Sequence, residues 1–179
     1  REPVKDRENI ERLSKHLAAV KADKFILMST IDVYPVPVDV DEDSPINTEI
    51  CQPYGKHRLQ LEHFVANRFD ALIVRLPGLF GHGLRKNVIY DMLHDNNVNQ
   101  INPRGVFQFY YLKHLTHDIN VVLQNGLKIL NITSEPTCVA EVARICLGHE
   151  FVNDIDTPTA RYDFRSRYAH LFGGHDGYL

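Results

Sequence analysis

Two short apolar runs in the chain have the pattern of strands that are buried on both faces. One is KFILMS at residues 24–29 and the other is ALIVRL at residues 71–76, and neither alternates like a half-exposed strand. Between them, residues 54–69 carry an apolar stripe typical of a helix, at Leu59, Leu61, Phe64 and Val65. A strand, a helix and a second strand within about 50 residues predict a parallel βαβ unit with a right-handed crossover.

Weaker patterns surround this unit. A helix should precede it, with Asp6 as its candidate N-cap and apolar residues near helical spacing at Ile10, Leu13, Leu17 and Val20. Residues 35–49 hold three prolines, five acids and no base, which is typical of a solvated loop. Later patterns predict helices near 87–94, 117–124 and 137–147, and strands near 106–112 and 128–132.

The composition is that of a soluble globular protein. The 179 residues are 44% hydrophobic and 24% charged, which excludes wholesale disorder and suits one domain with a small additional lobe. The net charge of −3 and the lack of a basic block argue against a nucleic-acid partner. No apolar run is long enough to span a membrane, and the charged first residues lack a signal-peptide core. We expect reduced thiols and a cytoplasmic location, because no CxxC pair occurs among Cys51, Cys138 and Cys146.

The residues that suggest chemistry flank the elements of the βαβ unit. Thr30 follows the first strand, and Tyr54 opens the next helix with Arg58 one turn later on the same face. Open α/β sheets bind ligands outside the carboxyl ends of their strands. A free tyrosine has a pKa of about 10, and a fixed positive charge one turn away favours its phenolate. The arrangement predicts proton transfer to or from an alcohol. The alternative is that these common residues occur at these positions by chance and have no catalytic role.

Two other motifs are weaker. Gly78, Gly81 and Gly83 have the order G-x-x-G-x-G, the reverse of the dinucleotide fingerprint, and favour a strand-to-helix turn over a phosphate cradle. His114 and His117 share an HxxH spacing, but no HExxH base or third ligand accompanies them, so we predict no metal site.

Three segments of the sequence together resemble a known family. They are FILMSTIDVYP, PYGKHRLQLEHF and ALIVRLPGLFGHG, and their order is similar to the middle of the extended short-chain dehydrogenases/reductases. The nucleotide-sugar epimerase/dehydratase branch of that family has SS-x-x-VYG, YG-x-x-K and R-x-x-N-x-YG-x-G in the same order. Asn9 in the first helix also fits, and the resemblance covers most of residues 5–147.

The resemblance implies an α/β fold with two parts. Residues 1–84 would be the carboxyl-terminal part of a Rossmann-like, doubly wound parallel sheet that binds a nucleotide. Residues 85–179 would be a smaller α+β portion on the substrate side, with the strand near 128–132 a candidate to return to the sheet. The implied cofactor is NAD or NADP, and the implied substrate is a nucleotide sugar.

The resemblance also assigns roles position by position. Tyr54 takes the place of the catalytic acid/base, and Thr30 takes that of the hydroxyl that orients the substrate. The implied catalytic residues are Thr30, Tyr54 and Arg58. The implied cofactor contacts are Ser29, Tyr54, Arg58, Pro77 and Gly78, and the implied substrate contacts are Asp32, Arg85 and Arg104.

Three departures separate the chain from the family pattern. Arg58 replaces the family's lysine, which keeps the charge but cannot deprotonate into a proton relay. Ile31 stands where the dehydratases have the first of two acids, with Asp32 at the second, which weighs against water elimination by a carboxylate pair. The family's first strand, glycine turn and first helix, which hold the pyrophosphate, have no counterpart in the sequence.

These observations leave two main hypotheses. One is an NAD(P)-dependent epimerase, dehydratase or reductase that is completed by an N-terminal half or by a second copy of the chain. The other is a non-catalytic remnant of the fold that acts as a binding or assembly module. A hydrolase has less support, because the sequence has no G-x-S-x-G motif. We also expect the strand near residues 25–28 to have an open edge and uncovered apolar surface.

Overall fold

The predicted βαβ unit forms the centre of the structure. The computed structural model describes residues 2–155 and 158–179. The helices are α1 (Pro3–Leu17), α2 (Pro53–Arg68), α3 (Asn87–Leu93), α4 (Leu115–Gln124) and α5 (Val139–Leu147). The strands are β1 (Phe25–Thr30), β2 (Ala71–Leu76), β3 (Gly78–Phe80), β4 (Val106–Phe107), β5 (Phe109–Tyr111), β6 (Ile129–Asn131) and β7 (Thr137–Cys138).

The main sheet is parallel and covered by helices on both faces. β2 lies in the centre, with β1 and β6 on either side of it in parallel register. One face packs against α1 and α2 through an apolar cluster of Ile10, Leu61, Val65, Phe69 and Ala71. The other face packs against α4 through Leu72, Val74, Val122 and Leu130. The α/β, doubly wound fold class is therefore confirmed, and residues 129–131 lie in the same sheet as β1 and β2.

The edge of this sheet at β1 is open among the described residues. β1 pairs only with β2, so its other side has no strand partner in the part of the chain that is described. Ile26 and Met28 point to the face that α4 covers farther along the sheet, and they remain 37% and 42% exposed. This is the uncovered apolar surface that the sequence predicts.

Residues 106–112 differ from their sequence prediction. The sequence pattern predicts a single strand near 106–112. Instead, β4 pairs antiparallel with β7, and β5 pairs parallel with β3, so the run contributes to two separate small sheets. Gln108 lies between them and is almost fully buried, because its side-chain amide both donates to the Phe164 carbonyl and accepts from the Phe164 amide.

The start of α1 is a second correction. The helix begins at Pro3 with Glu2 as N-cap, so Asp6 lies in the first turn and not at the cap. Proline suits the first helical turn, where its missing N–H would have no intrahelical partner. Asp6 is thereby free to bond to side chains of α2.

The last described segment crosses back over the first half of the chain. Asp163 donates its backbone N–H to Pro37, and Arg165 donates to Val40, so the segment pairs with the loop after β1. Phe164 is fully buried among Ile31, Val33 and Leu59. Residues distant in sequence therefore form one wall beside the carboxyl end of β1.

A buried ion pair lies beneath this end of the sheet. Arg75 of β2 donates from Nη2 to Glu62 Oε2 of α2 at 2.7 Å, and the two residues are 5% and 1% exposed. Glu62 also accepts from the Ser29 hydroxyl, and Arg75 Nη1 donates to Tyr34 Oη at 2.6 Å. Burial of Arg75 favours its neutral form and so tends to lower its pKa. The stabilisation of the charged form by the Glu62 carboxylate is larger, so the pKa of Arg75 is raised above its ordinary value. The network joins β1, β2, α2 and the turn after β1.

We expect Glu62→Gln to lower the free energy of unfolding by about 3–5 kcal/mol, because Arg75 would be left as an uncompensated buried charge. Urea denaturation followed by circular dichroism measures the change. The matched control is Glu141→Gln, which breaks the exposed Glu141–Arg144 pair of α5 and should leave the free energy of unfolding close to that of wild type, because solvent screens an exposed pair. Equal losses in the two variants would contradict the central role of the buried pair.

Candidate active site

A cavity of about 600 Å³ opens at the carboxyl ends of β1 and β2. This cavity is lined by six of the residues that the sequence singles out, namely Ser29, Thr30, Asp32, Tyr54, Pro77 and Gly78. We call this the site cavity. It lies where ligands bind in open parallel sheets.

Tyr54 lies where three cavities meet. It lines the site cavity, a second cavity of about 560 Å³ bordered by Pro35, Pro37 and Pro53, and a groove of about 420 Å³ beside α1. Its position follows from α2, which begins at Pro53 and so places Tyr54 in its first turn.

Gly55 allows α2 to approach the turn after β1 closely. A Cβ at this position would lie 1.8 Å from the carbonyl oxygen of Asp32, which is far inside contact distance. Any other residue would push the helix away from the turn and separate Tyr54 from Thr30. The glycine is therefore needed for the geometry of the site.

Thr30 and Ser29 use their hydroxyls differently. Thr30 Oγ1 accepts a hydrogen bond from the backbone N–H of Asp32 at 3.2 Å and caps the short 3₁₀ turn of residues 31–33. The Ser29 hydroxyl donates to Glu62 in the buried network, so its hydrogen is engaged below the cavity. Thr30 has the better placed hydroxyl of the two for a ligand.

Arg58 packs against Tyr54 and is paired with Asp6. Its Cζ atom lies 4.5 Å from the centre of the Tyr54 ring, and its Nη2 donates to Asp6 Oδ1 at 3.0 Å. The other oxygen of Asp6 lies 2.7 Å from Nδ1 of His57. Burial opposes ionisation of Asp6, but His57 and Arg58 outweigh it and lower the pKa of the carboxyl below its usual value. Asp6 thus fixes the guanidinium on the tyrosine ring.

The two arginines that the resemblance implies as substrate contacts, Arg85 and Arg104, do not line the site cavity in the described residues. Arg85 is exposed and lines a neighbouring cavity with Phe80 and Tyr90. Arg104 is exposed, donates to the Ile155 carbonyl at 2.9 Å and is absent from the described lining of the site cavity. Lys86 lines the site cavity, the neighbouring cavity and the α1 groove, and is the cation among the site cavity's lining residues.

Three residues that contribute to the site had no strong signal in the sequence. Tyr162 lines the site cavity from the carboxyl-terminal segment, Asp6 holds Arg58 from α1, and Glu62 supports the floor from α2. Tyr162 lies 130 positions from Asp32, to which it donates a hydrogen bond. Glu62 could have been suspected from the spacing of Tyr54, Arg58 and Glu62, which places all three on one face of a helix.

The described residues contain neither a membrane-spanning helix nor a metal-binding cluster. No helix among them is both long and apolar enough to cross a membrane. No group of three or more histidine, cysteine or acidic side chains in the same residues has a geometry that could hold a metal ion.

We expect Asp6→Asn to reduce the dependence of stability on acid pH. Because the pKa of Asp6 is lowered in the folded protein, its ionised carboxylate stabilises the fold above the unfolded-state pKa near 3.9. This stabilisation is lost as the pH falls through the folded-state pKa. The substitution should cost roughly 1–2 kcal/mol at pH 7, and the difference from wild type should shrink towards pH 3. Urea denaturation at a series of pH values measures it.

The control for this experiment is Asp23→Asn. Asp23 is an exposed carboxylate outside the helix contacts of Asp6, so its variant should keep the wild-type pH profile. A difference between Asp6→Asn and wild type that stays constant from pH 7 to pH 3 would contradict the pairing.

Comparison with known proteins relates the chain to solved structures and not to sequence families. No family model matches the sequence, and no curated protein matches it by sequence. A UDP-galactose 4-epimerase superimposes on 99% of the chain with a TM-score of 0.74 at 16% identity. The NAD-dependent NDP-hexosamine 5,6-dehydratase TunA superimposes on 96% with a TM-score of 0.72 at 19% identity.

A third structure gives the same result. The dTDP-glucose 4,6-dehydratase DesIV of Streptomyces venezuelae, solved with NAD bound, superimposes on 99% of the chain with a TM-score of 0.72 at 16% identity. The match spans 66%, 64% and 61% of the three structures, so the chain covers less than two thirds of their length. The chain therefore has, over this span, the Rossmann-like fold of NAD-dependent nucleotide-sugar epimerases and dehydratases.

Proposed function

We propose that the chain is part of an NAD(P)-dependent oxidoreductase that acts on the sugar of a nucleotide sugar, as an epimerase, dehydratase or reductase. The observation that carries this proposal is that the Thr30 hydroxyl and the Tyr54 phenol line one cavity at the carboxyl ends of parallel strands. Several structures with the same fold contain NAD together with a nucleotide sugar, such as UDP-glucuronic acid in the 4-epimerase of Bacillus cereus.

The residues present fit the nicotinamide end of NAD(P). Arg58 Nη1 is buried and has no hydrogen-bond partner among the described residues, so it is a donor available for a ribose hydroxyl. Arg58 lines the groove beside α1, Pro77 and Gly78 line the site cavity, and Tyr54 borders both. No G-x-G-x-x-G sequence occurs in the chain, so in this proposal the pyrophosphate is held by another polypeptide segment.

The bound cofactor would supply hydride transfer at the sugar carbon. Tyr54, as phenolate, would accept the proton of the sugar hydroxyl on that carbon, so that the C–O bond becomes a carbonyl as the C–H bond breaks. Return of the proton from Tyr54 restores the hydroxyl when the carbonyl is reduced. The Thr30 hydroxyl would donate to the same oxygen and keep it within reach of Tyr54.

Arg58 holds a positive charge against the ring of Tyr54 in this mechanism. Its guanidinium lies over the ring, with Cζ 4.5 Å from the ring centre, where it attracts the π-face. Because an arginine cannot deprotonate at neutral pH, it holds charge and geometry without carrying the proton. Proton exchange with solvent would then pass from Tyr54 through water or the ribose, and not through residue 58.

Two observations favour the second candidate, a non-catalytic binding or assembly module. The Arg58 charge is already paired with Asp6, which reduces the net positive potential at Tyr54. The open edge of β1 with exposed Ile26 and Met28 also suits a partner strand. Cofactor binding separates the two functions, because only the enzyme requires it.

We expect NAD or NADP to raise the thermal stability of the protein, by about 2.7 kcal/mol at a concentration of 100 times its Kd. Tyr54→Phe should keep this protection but lower turnover of a nucleotide sugar by about 10²–10⁴-fold, because the acid/base is lost. Differential scanning fluorimetry and NADH absorbance measure the two effects. The control is Tyr111→Phe, which alters an exposed tyrosine and should leave both unchanged.

Two results would contradict the proposed enzyme. One is the absence of thermal protection at millimolar NAD and NADP, which would favour the binding module. The other is a Tyr54→Phe variant that turns over substrate as fast as wild type.

A further inference from the structure

Tyr162 is held rigidly beside the site cavity by its neighbours in the chain. Its backbone N–H donates to the Val106 carbonyl at 2.9 Å, and the next residue, Asp163, donates to Pro37 at 2.8 Å. The following side chain, Phe164, is fully buried in the core. The segment that carries Tyr162 is therefore fixed both to β4 and to the loop after β1.

The Tyr162 side chain is also fixed at both of its ends. The ring stacks on Phe107 with centroids 5.4 Å apart, and the hydroxyl donates to Asp32 Oδ1 at 3.1 Å. A phenol held in this way orients the carboxylate that it contacts.

Asp32 retains acceptor capacity at the cavity wall. Its carboxylate lines the site cavity, and its Oδ2 atom accepts no hydrogen bond from the described residues. Since Asp32 follows Thr30 by two positions, an oxygen bonded to Thr30 would place the rest of a ligand near this carboxylate. A carboxylate with a free acceptor in a cavity is suited to bind the hydroxyl of a sugar, which donates a hydrogen bond.

The described residues that line the site cavity carry more negative than positive charge. Asp32 and Asp91 are both acidic, and Lys86 is the cation among the described lining residues. A uronic acid would bring its own carboxylate towards the two acids, and like charges at close range are unfavourable. Neutral hydroxyls meet no such repulsion, and Lys86 remains available for a diphosphate.

We propose that Asp32 and Tyr162 form a recognition pair for a neutral sugar, in which Asp32 accepts a sugar hydroxyl and Tyr162 positions the carboxylate. This inference rests on the proposed function, and it narrows the substrate class to nucleotide sugars without a carboxylate on the sugar ring. Tyr162 is a positioning residue here, because it acts through Asp32.

The test compares ligands that differ only in the sugar, by isothermal titration calorimetry on the purified protein with NAD present. UDP lacks the sugar, UDP-glucose carries a neutral sugar and UDP-glucuronic acid carries an acidic one. A second pair, dTDP and dTDP-glucose, repeats the comparison without and with a neutral sugar on another nucleotide. We expect wild type to bind the neutral nucleotide sugar at least about 10-fold more tightly than UDP-glucuronic acid.

Two single variants, their double variant and a control test whether Asp32 and Tyr162 act together. Asp32→Asn should weaken UDP-glucose binding about 10–100-fold and leave UDP affinity unchanged. It should also reduce the preference for UDP-glucose over UDP-glucuronic acid. Tyr162→Phe should weaken UDP-glucose binding about 3–10-fold. The same change made in the Asp32→Asn variant should have little further effect on UDP-glucose affinity, because the Tyr162 hydroxyl acts through Asp32. Tyr178→Phe is the control, since it removes a similar hydrogen bond, to Asp163, outside the described lining of the site cavity.

The outcomes separate this inference from the proposed function. Equal affinity of wild type for UDP-glucose and UDP-glucuronic acid overturns the neutral-sugar preference while nucleotide-sugar binding stands. Additive effects of Asp32→Asn and Tyr162→Phe overturn the pairing. Failure of wild type to bind any of the five ligands overturns the proposed function and the inference together. Unchanged UDP or dTDP affinity in each variant shows that the variant is folded.

Discussion

Arg75 and Glu62 are buried together beneath the carboxyl ends of β1 and β2, and the candidate site is built on this ion pair. A carboxylate and a guanidinium in a nonpolar interior are stable only if each is paired and hydrogen-bonded. Here the requirement is met by recruiting groups from the segments around the cavity, since Ser29 bonds to the carboxylate and Tyr34 to the guanidinium. The charges therefore fix β1, β2, α2 and the turn after β1 relative to one another. Movement of one segment would break hydrogen bonds that no water can replace.

Above this network, close backbone contact sets the relative position of Thr30 and Tyr54. Gly55 lets α2 touch the carbonyl of Asp32, which brings the first turn of the helix to the turn that Thr30 caps. Tyr54 then has no freedom to move away from the strand end, because its helix is held at Gly55 and at Glu62. Preorganisation of this kind is what proton transfer needs, since donor and acceptor must lie within hydrogen-bond distance.

The positive charge of Arg58 beside Tyr54 is partly offset by a carboxylate, which the spacing of the two residues in the sequence does not indicate. Arg58 lies over the ring, but its guanidinium is shared with Asp6, and the carboxylate is shared in turn with His57. Asp6 holds the long arginine side chain in place and at the same time offsets part of its charge. Among the described residues that line the site cavity, the carboxylates of Asp32 and Asp91 outnumber the ammonium group of Lys86.

The local pattern of the sequence determined the βαβ unit, its parallel strands and the positions of Thr30 and Tyr54 at adjoining element ends. Buried strands and amphipathic helices leave period and composition signals within a few residues, so they can be recognised without knowledge of contacts. The pattern misplaced the cap of α1 and joined β4 and β5 into one strand, because short strands are defined by their partners, which lie elsewhere in the chain. The partners of the site residues were decided only by the tertiary structure. Asp6 reaches Arg58 across 52 positions and Tyr162 reaches Asp32 across 130, and hydrogen bonds over such separations leave no periodic trace in a sequence.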